Sequence, residues 1–345
     1  MVSRHLKIIS YLLFFHLLIS CDSEPKSVDI SGSIFGTYYK IKYYTDTSDV
    51  IKQSEIDSIF DNFNNSFSTY ISNSTISKIN YGQNVLVDYL FKDMFYKSKT
   101  LHQQTDGMFD PSIGLLLEYY GFGPDKNKKF NGNFDVIMQS VGFDKIDILS
   151  DQLIKQNKTT KLDFNAIAKG YAVDNIANLF DKKAVENYLI DIGGEIRTKG
   201  KNLTKNSVWV VAINNPDLKS QNKFYKILGL RNKSIATSGN YRNYRIDSIT
   251  KKKYVHTLNP LSGKSEQTDI LSATVIADSC FEADAFATAF MAGNFKSAKK
   301  LIRKNNQIEV YLIYVDSKNN ISDYYTEGAT NYFIKSWYKQ ELFHL

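Results

Sequence analysis

Residues 163–195 read DFNAIAKGYAVDNIANLFDKKAVENYLIDIGGE and hold the pattern that decides the fold class. This pattern predicts a helix over Ala166–Phe180 and, after a short break, a strand over Asn187–Ile192. The strand runs into Gly193-Gly194, two residues that permit a positive φ or a close backbone approach. A plain turn after a buried strand is the simpler interpretation of the two glycines.

Helices and strands alternate irregularly on both sides of this stretch. Further helices are predicted from Ser54 onward and over Val87–Gln103, Glu282–Ala292 and Phe295–Lys304, and further strands over Ile34–Tyr44, Val208–Ile213, Ser234–Ala236, Tyr254–Leu258, Ser272–Ala277 and Ile308–Val315. Because no regular βαβ repeat appears, the order of elements favours an α+β fold. No repeat of fixed period and no low-complexity linker follows residue 33, so residues 34–345 are predicted to form one domain or two intimately packed subdomains.

Charge and composition are those of a globular protein. The 345 residues carry 43 Lys and Arg against 36 Asp and Glu, a net charge of +7 that is spread over lysine runs such as 251–253. We interpret these runs as solvated loops. No predicted helix interleaves basic and aromatic residues on one face, so we expect no nucleic-acid partner.

The amino terminus has the pattern of a bacterial export signal. Basic residues precede an apolar run over residues 8–19, which is too short to span a bilayer as an ordinary helix. The run ends in Leu18-Ile19-Ser20-Cys21, which looks like a lipobox. We therefore expect a signal peptide over 1–20, a lipidated Cys21, a polar tether over 21–33, and a membrane-anchored lipoprotein that faces the periplasm. The alternative is an ordinary signal peptide or anchor that happens to contain a cysteine.

The sequence contains only one other cysteine, Cys280. With Cys21 lipidated, Cys280 has no partner within the chain, so the protein is not a disulfide scaffold and no cysteine cluster binds zinc. We expect Cys280 to be a small buried apolar residue.

Asp284 and Thr288 are the first candidates for chemistry. They lie four residues apart among alanines, so on a helix they share one face that a ligand can approach closely. A carboxylate beside a hydroxyl suits a hard cation such as Mg²⁺. The open alternative is an Asp that caps the start of a helix, with Thr288 merely packed.

Asp163 and Lys169 form a second candidate group. Asp163 is expected at a strand end and Lys169 near a helix start, with a carbonyl around Ala166 available to a metal. Lys169 would meet a phosphate or nucleotide as a point charge. A capped helix with a surface lysine remains the alternative.

His256 is the candidate general base. It is the one histidine of the mature chain inside a motif, next to Asn259-Pro260. A strand histidine satisfied by the backbone is the alternative. The chain has no P-loop, no Gly-x-Gly-x-x-Gly, no Gly-x-Ser-x-Gly elbow and no His-Glu-x-x-His pair, which argues against those nucleotide and hydrolase sites.

Nine stretches in this order and spacing resemble the ApbE family of FAD:protein FMN transferases over about residues 34–315. They are Phe35-Gly36-Thr37, Phe67-Ser68-Thr69-Tyr70, Asp106-Gly107-Met108-Phe109-Asp110-Pro111, Gly121-Phe122-Gly123, Ala168-Lys169-Gly170-Tyr171-Ala172-Val173-Asp174, Asp191-Ile192-Gly193-Gly194-Glu195, Ala236-Thr237-Ser238-Gly239, His256-x-x-Asn259-Pro260-x-x-Gly263 and Ala283-Asp284-Ala285-Phe286-Ala287-Thr288.

The resemblance implies an α+β, T-fold-related architecture with mixed, largely antiparallel sheets and packed helices. It also implies Mg²⁺-dependent transfer of FMN from FAD to a Thr or Ser of a target flavoprotein in a membrane redox complex, with release of AMP. By the same resemblance the catalytic residues are His256 and Asp284. The FAD site is lined by Phe35, Tyr70, Met108, Phe109, Asp110, Asp163, Lys169 and Leu258, and the metal site by Ala166, Asp284, Ala287 and Thr288.

The chain departs from the family pattern at three places near the expected flavin contacts: Asn259-Pro260 replaces Asp-Pro, Asn165-Ala166 replaces Gly-Gly, and Lys169 stands where some members have Glu. Two alternative functions stay open. In one, water replaces the protein hydroxyl and the chain is a metal-dependent FAD pyrophosphatase that gives FMN and AMP. In the other, it is a non-catalytic flavin-binding lipoprotein.

Overall fold

The computed structural model describes residues 25–46, 51–125, 132–217, 220–240, 244–246, 253–265 and 267–334. The helices in this part of the chain are α1 Gln53–Phe67, α2 Thr75–Asn80, α3 Tyr89–Gln104, α4 Gly114–Tyr120, α5 Phe134–Gln139, α6 Ala168–Lys182, α7 Cys280–Ala292 and α8 Phe295–Lys304. The strands are β1 Lys26–Ile34, β2 Thr37–Thr45, β3 Ile146–Leu149, β4 Gln152–Lys155, β5 Asn187–Ile192, β6 Glu195–Lys199, β7 Trp209–Asn214, β8 Phe224–Leu230, β9 Ser234–Gly239, β10 Tyr244–Ile246, β11 Lys253–Val255, β12 Ile270–Ala277, β13 Glu309–Val315 and β14 Ile321–Tyr325.

An eight-stranded sheet organises the molecule. Its strand order is β1-β2-β5-β6-β9-β12-β13-β14, and every neighbouring pair is antiparallel. The pairs β3-β4, β7-β8 and β10-β11 form separate two-stranded sheets. The α+β fold class and the largely antiparallel sheets predicted from the sequence are confirmed.

The two faces of the sheet carry two different cores, because successive strand residues point to opposite faces. On β13, Val310 and Leu312 join the large core under the helices. Their neighbours Tyr311 and Ile313 join a smaller core that the β7-β8 hairpin covers with residues such as Leu228. The sheet is therefore buried on both sides where β9, β12 and β13 lie.

The helices α6 and α7 pack side by side on the large-core face, and α7 is buried almost all round. It begins after Ser279, whose side chain accepts a hydrogen bond from the N–H of Glu282 at 3.2 Å. Its small residues, including Ala283, Ala285 and Ala287, allow the sheet on one side and α6 on the other to come close. This packing brings polar side chains of α6 and α7 within reach of each other.

The predicted polar tether over 21–33 is wrong from Lys26 onward, because Lys26–Ile34 forms the edge strand β1. The predicted strand Ile34–Tyr44 is divided at Phe35 and Gly36, which have φ of 51° and 73° and form the tight β1-β2 turn. The core-facing residues are even-numbered on β1, at Val28, Ile30 and Ile34, and odd-numbered on β2, at Tyr39, Ile41 and Tyr43, so the phase of the alternation changes at this turn. The signal peptide and Cys21 lie outside the described residues.

Other predicted elements match to within a few residues, and Asn187–Ile192 matches fully. The predicted strand Tyr254–Leu258 is shorter than expected and ends at Val255. Several short elements had no prediction, among them β6, β8 and β14. Within the described residues, no helix combines the length and the apolar content that crossing a membrane requires.

Candidate active site at the α6–α7 contact

Asp284 lies at the contact between α6 and α7, and its side chain is 2% exposed. Its Oδ2 accepts a hydrogen bond from the backbone N–H of Gly170 at 3.0 Å. The alternative role of Asp284 as a helix cap is wrong, because α7 begins at Cys280 and its N-cap is Ser279. A carboxylate held away from the helix end is free to serve a ligand.

Lys169 stands between two buried carboxylates. Its Nζ lies 3.1 Å from Oε1 of Glu195 and 4.0 Å from Oδ2 of Asp284. Glu195 reaches this position because the Gly193-Gly194 turn, with φ of 64° and 107°, folds β6 back along β5. The alternative of a surface lysine is wrong, because the ammonium of Lys169 is ion-paired with two buried acids. Its contact with a phosphate stays a prediction.

The electrostatics of this group follow from its burial. Burial raises the pKa of Asp284, and the nearby Lys169 ammonium opposes that rise. Burial likewise raises the pKa of Glu195 to about 8. For Lys169, burial disfavours the ammonium, but the charges of Asp284 and Glu195 outweigh it and raise its pKa. A second cation would therefore stabilise two acids that one lysine neutralises incompletely.

The predicted metal ligands come together at the same place. The hydroxyl of Thr288, one turn after Asp284, donates to the carbonyl oxygen of Ala166 at 3.4 Å, and Ala287 is fully buried beside them. Carboxylate, hydroxyl and carbonyl oxygens are ligands that Mg²⁺ prefers. Glu195 adds one buried oxygen, Oε2, with no hydrogen-bond partner. In the described part of the chain, no three His, Cys, Asp or Glu residues cluster around a metal-sized position. A cation here would complete its shell with backbone oxygens, water or substrate phosphate.

Asp174 has a role that sequence reasoning missed. It lies on α6, yet its carboxylate accepts from the backbone N–H groups of Cys280 at 3.1 Å and Phe281 at 2.9 Å, the first residues of α7. Arg197 on β6 donates to the same carboxylate at 2.6 Å. One acid thereby fixes the start of α7, four residues before Asp284, against α6 and the sheet. Its presence in the Ala168–Asp174 motif was the available signal.

Two predicted FAD contacts, Phe35 and Tyr70, differ in how far their rings are buried. Phe35 lies in the β1-β2 turn, and its ring packs on Phe60 and Phe63 at 5.9 and 4.7 Å between centroids. Tyr70 follows α1 and is 62% exposed. Of the two, Tyr70 thus offers the more open aromatic face to a planar ligand.

Asp163 is a buried acid held by a local turn. Its two carboxylate oxygens accept from the backbone and side-chain nitrogens of Asn165 at 2.7 and 3.0 Å. Burial raises its pKa to about 6 in spite of these bonds. Its own N–H donates to the carbonyl of Pro111 at 2.8 Å, which joins this segment to the one that carries Asp110. The residue Asn165, one of the departures from the family pattern, therefore supports Asp163.

Asp110 borders a cavity of about 600 Å³ that Leu261 and His102 also line. Its Oδ1 accepts from the backbone and hydroxyl of Ser112 at 2.7 and 2.5 Å, and its Oδ2 from the N–H of Phe143 at 3.2 Å. Burial raises the pKa of Asp110, and these hydrogen bonds oppose the rise. The predicted contacts Met108 and Phe109 are themselves buried in the core and present little side-chain surface to a ligand.

His102 is a second residue that the sequence did not single out. Its Nδ1 lies 2.9 Å from the carbonyl oxygen of Phe109 and 3.7 Å from Oδ2 of Asp110. Its place late in a predicted helix gave no sign of this, because the following turn at Asp106 and Gly107 folds the chain back onto the ring. His102 thus shapes the wall of the cavity at Asp110.

The His256 segment follows β11. The ring of His256 is half-buried, and Leu258 is almost fully buried. The side-chain oxygen of Asn259 accepts from the N–H groups of Leu261 and Ser262 at 2.9 and 3.1 Å. An Asp side chain can accept the same two backbone hydrogen bonds, so the replacement of Asp by Asn259 in the family pattern changes this turn little.

Comparisons with known proteins agree with this architecture. The model of the ApbE family matches residues 35–312. A protein of Haemophilus influenzae named FAD:protein FMN transferase is 30% identical over 86% of this chain and 89% of its own length. One of the same name from Buchnera aphidicola subsp. Schizaphis graminum is 30% identical over 90% and 92%.

Solved structures are similar over the same extent. The flavin transferase ApbE from Vibrio cholerae superimposes with a TM-score of 0.78 at 28% identity and covers 90% of this chain and all of that one. The apo form of the flavinyl transferase ApbE from Pseudomonas stutzeri gives a TM-score of 0.78 at 27% identity, with 90% and 98% covered.

Proposed function

The chain belongs to the ApbE family, and from this premise we propose that it is an enzyme that transfers FMN from FAD to a Thr or Ser hydroxyl of a target protein and releases AMP. The observation that carries the proposal is the set of oxygen ligands at the α6–α7 contact: the Asp284 carboxylate, the Thr288 hydroxyl and the Ala166 carbonyl. The relatives named FAD:protein FMN transferase support the substrate and the reaction.

These oxygen ligands fit a Mg²⁺ ion, with Asp284 as its anionic side chain and Ala287 on the helix beside it. When bound, Mg²⁺ would neutralise charge on the pyrophosphate oxygens of FAD. Gly170 holds one Asp284 oxygen through its N–H, and Lys169 adds a positive charge 4.0 Å away. The protein thus orients the carboxylate before any substrate arrives.

In the proposed reaction the acceptor hydroxyl oxygen forms a bond to the FMN phosphorus, and the bond from that phosphorus to the bridging oxygen breaks. AMP leaves with the bridging oxygen. His256 takes the hydroxyl proton as general base. Tyr70 and Phe35 supply aromatic surface near the flavin or the adenine, and Asp110, Asp163 and Leu258 complete the FAD site.

We also propose that the protein is an exported bacterial lipoprotein anchored through Cys21 and facing the periplasm, where its acceptor belongs to a membrane redox complex. The apolar run and Leu-Ile-Ser-Cys support this proposal. A Cys21→Ser variant should appear as an unprocessed or soluble exported form. Membrane-bound protein with a normally processed amino terminus would contradict the lipid anchor.

The deciding experiment incubates the protein with FAD, Mg²⁺ and a candidate acceptor protein, then measures AMP and protein-bound flavin fluorescence in a denaturing gel. Transfer predicts both signals. AMP without bound fluorescence would indicate the pyrophosphatase, and FAD binding without AMP would indicate the flavin-binding protein.

An Asp284→Asn variant tests the metal site within that experiment. We expect it to stay folded and to lose AMP release at ordinary Mg²⁺ concentrations, because it lacks the anionic ligand. An Asp278→Asn variant, altered at an exposed position just before α7, is the matched control and should keep activity. Activity retained by Asp284→Asn would overturn the metal assignment.

A further inference from the structure

The first strand enters the large sheet at a defined end. Lys26 pairs with Thr45 on β2, and the next strands continue this end through Asn187 on β5 and Lys199 on β6. The side-chain amide oxygen of Asn232 accepts from the N–H of Gly200 at 2.8 Å, so the β8-β9 turn lies here too. We call this the entry end.

The opposite end of the same strands, which we call the site end, lies on the side of the proposed active site. The β1-β2 turn with Phe35 and the Gly193-Gly194 turn meet there, since the N–H of Gly193 donates to the carbonyl of Tyr38 at 3.0 Å. Glu195, which contacts Lys169, starts β6 at this end. The nine residues of β1 separate the two ends by about 30 Å.

The entry end is rich in exposed positive charge. Its exposed basic residues are Lys26, Lys182, Lys201, Lys205 and Arg231.

Most of the acids at the entry end are engaged by other lysines. Asp181 and Glu186 pair with Lys199, and Asp278 pairs with Lys233. Asp46 is also exposed here. Glu327 is exposed after β14 at this end, and Asp22 and Glu24 lie in the connection to Cys21. The five exposed basic residues outnumber these three acids and Asp46 by one. The described surface, with five exposed basic residues against Asp46 and Glu327, is complementary to anionic phospholipid head groups.

The chain between the proposed anchor and the sheet is short. Because β1 begins at Lys26, four residues, 22–25, separate it from Cys21. Fully extended, this connection reaches at most about 18 Å. A lipid on Cys21 would therefore keep the entry end close to the bilayer surface.

We propose that the entry end is a docking surface for anionic phospholipid head groups and that docking turns the site end away from the bilayer. This inference rests on the proposed lipid anchor. Glu195 is level with Ile192, Tyr39 and Gly32 across the sheet, six residues along β1 from Lys26. Docked in this way, the active site therefore stands about 20 Å farther from the membrane than Lys26 does. The acceptor hydroxyl must then be offered by a part of the partner that protrudes from the membrane, not by a loop at its surface.

The test uses the full-length lipidated protein, purified from membranes and reconstituted into vesicles of phosphatidylcholine with phosphatidylglycerol. A fluorophore is attached through Lys205→Cys at the entry end or Lys318→Cys in the β13-β14 turn at the site end. Cys280 is fully buried, so labelling is confined to the introduced thiol. Energy transfer to a head-group-labelled lipid should be more efficient from position 205 than from position 318. Equal transfer, or the reverse order, would overturn the proposal.

Charge reversal gives an independent readout. Lys201→Glu and Arg231→Glu each change the charge by two units, so each should lower the ratio of docked to undocked protein about 30-fold and thereby reduce transfer from position 205. Lys318→Glu, which reverses an exposed charge at the site end of a chain labelled at position 205, is the matched control and should leave transfer unchanged. If neither reversal at the entry end changes transfer, the basic surface does not dock.

The outcomes distinguish a failure of the docking proposal from a failure of the proposed lipid anchor or of the proposed enzyme activity. Wild-type protein that does not float with vesicles, or a Cys21→Ser variant that floats equally well, would overturn the anchor and the docking together. Anchored protein with equal transfer from both positions would overturn only the docking. Lys201→Glu and Arg231→Glu should not change AMP release from FAD, measured on the same vesicles. If the wild-type protein releases no AMP, only the proposed enzyme activity is overturned.

Discussion

A Cβ atom placed on Gly170 would lie 2.5 Å from the carbonyl oxygen of Cys280 and 2.9 Å from the Cβ of Asp284. The glycine therefore sets the distance between α6 and α7, and through it the position of the Asp284 carboxylate. Its place in the Ala168–Asp174 motif has a steric reason that does not involve a ligand.

Gly170→Ala should force the two helices apart. We expect a loss of about 1–3 kcal/mol in the free energy of unfolding, which is typical of overpacking. Because the N–H of Gly170 moves away from Asp284, we also expect AMP release to require a higher Mg²⁺ concentration. Urea unfolding and a Mg²⁺ titration measure the two effects. Asn178→Ala, exposed on the same helix, is the control and should change neither. Wild-type behaviour of Gly170→Ala would contradict the close contact.

Asp174→Ala should cost about 3 kcal/mol of unfolding free energy, because it leaves the Arg197 guanidinium and two α7 N–H groups without their acceptor. Arg197→Met should cost less, since the α7 amides keep their carboxylate. A double-mutant cycle by chemical denaturation checks the coupling. Simple additivity of the two single losses would show that the pair does not act as a unit.

The stability of the protein should depend on the protonation of Asp163. Burial raises its pKa from the ordinary 3.8 to about 6, so its neutral form is the one that the fold favours. That stability is fully present below about pH 4 and is lost as the pH rises through about 6. Relative to Asp163→Asn, the wild type should lose about 1.4 kcal/mol of unfolding free energy per pH unit in this window. Parallel pH profiles of the two proteins would contradict the raised pKa.

His256→Asn should slow FMN transfer by about 10²–10⁴-fold while FAD binding is kept, as expected when a general base is lost. Single-turnover AMP release and a separate FAD-binding titration distinguish the two steps. An activity within about twofold of the wild type, far below the usual general-base effect, would remove His256 from the mechanism and point to Asp110 or a metal-bound water.

Local patterns predicted much of the fold. The alternation in Asn187–Ile192 and the helical spacing around Ala168–Lys182 produced correct elements, because each depends on neighbours a few residues away. The tether failed because an edge strand buries little. In Lys26–Ile34, Val28, Ile30 and Ile34 alternate with polar or small residues, but they are only partly buried, and the intervening residues are polar enough to resemble a tether.

The candidate site was less predictable, because its contacts are long-range. The approach of Gly170 to Asp284 spans 114 residues, and the pairing of Lys169 with Glu195 depends on how the Gly193-Gly194 turn folds β6 back. Residue type and motif identified Asp284 and Thr288, but no local pattern could show that Lys169 faces two acids or that His102 lies against Phe109 and Asp110.

The strand order of the large sheet ascends without reversal from β1 to β14. Each strand therefore adds to an edge that the preceding part of the chain has already built, and none has to insert between two earlier strands. The amino terminus emerges first from the ribosome, and the proposed export would also deliver it first across the membrane, so the sheet can grow in the order in which the chain emerges. Asp284 follows six of the eight strands along the chain. Six strands of the sheet can therefore pair before Asp284, the carboxylate proposed for catalysis, has emerged. The active site can form only after most of the sheet that supports it.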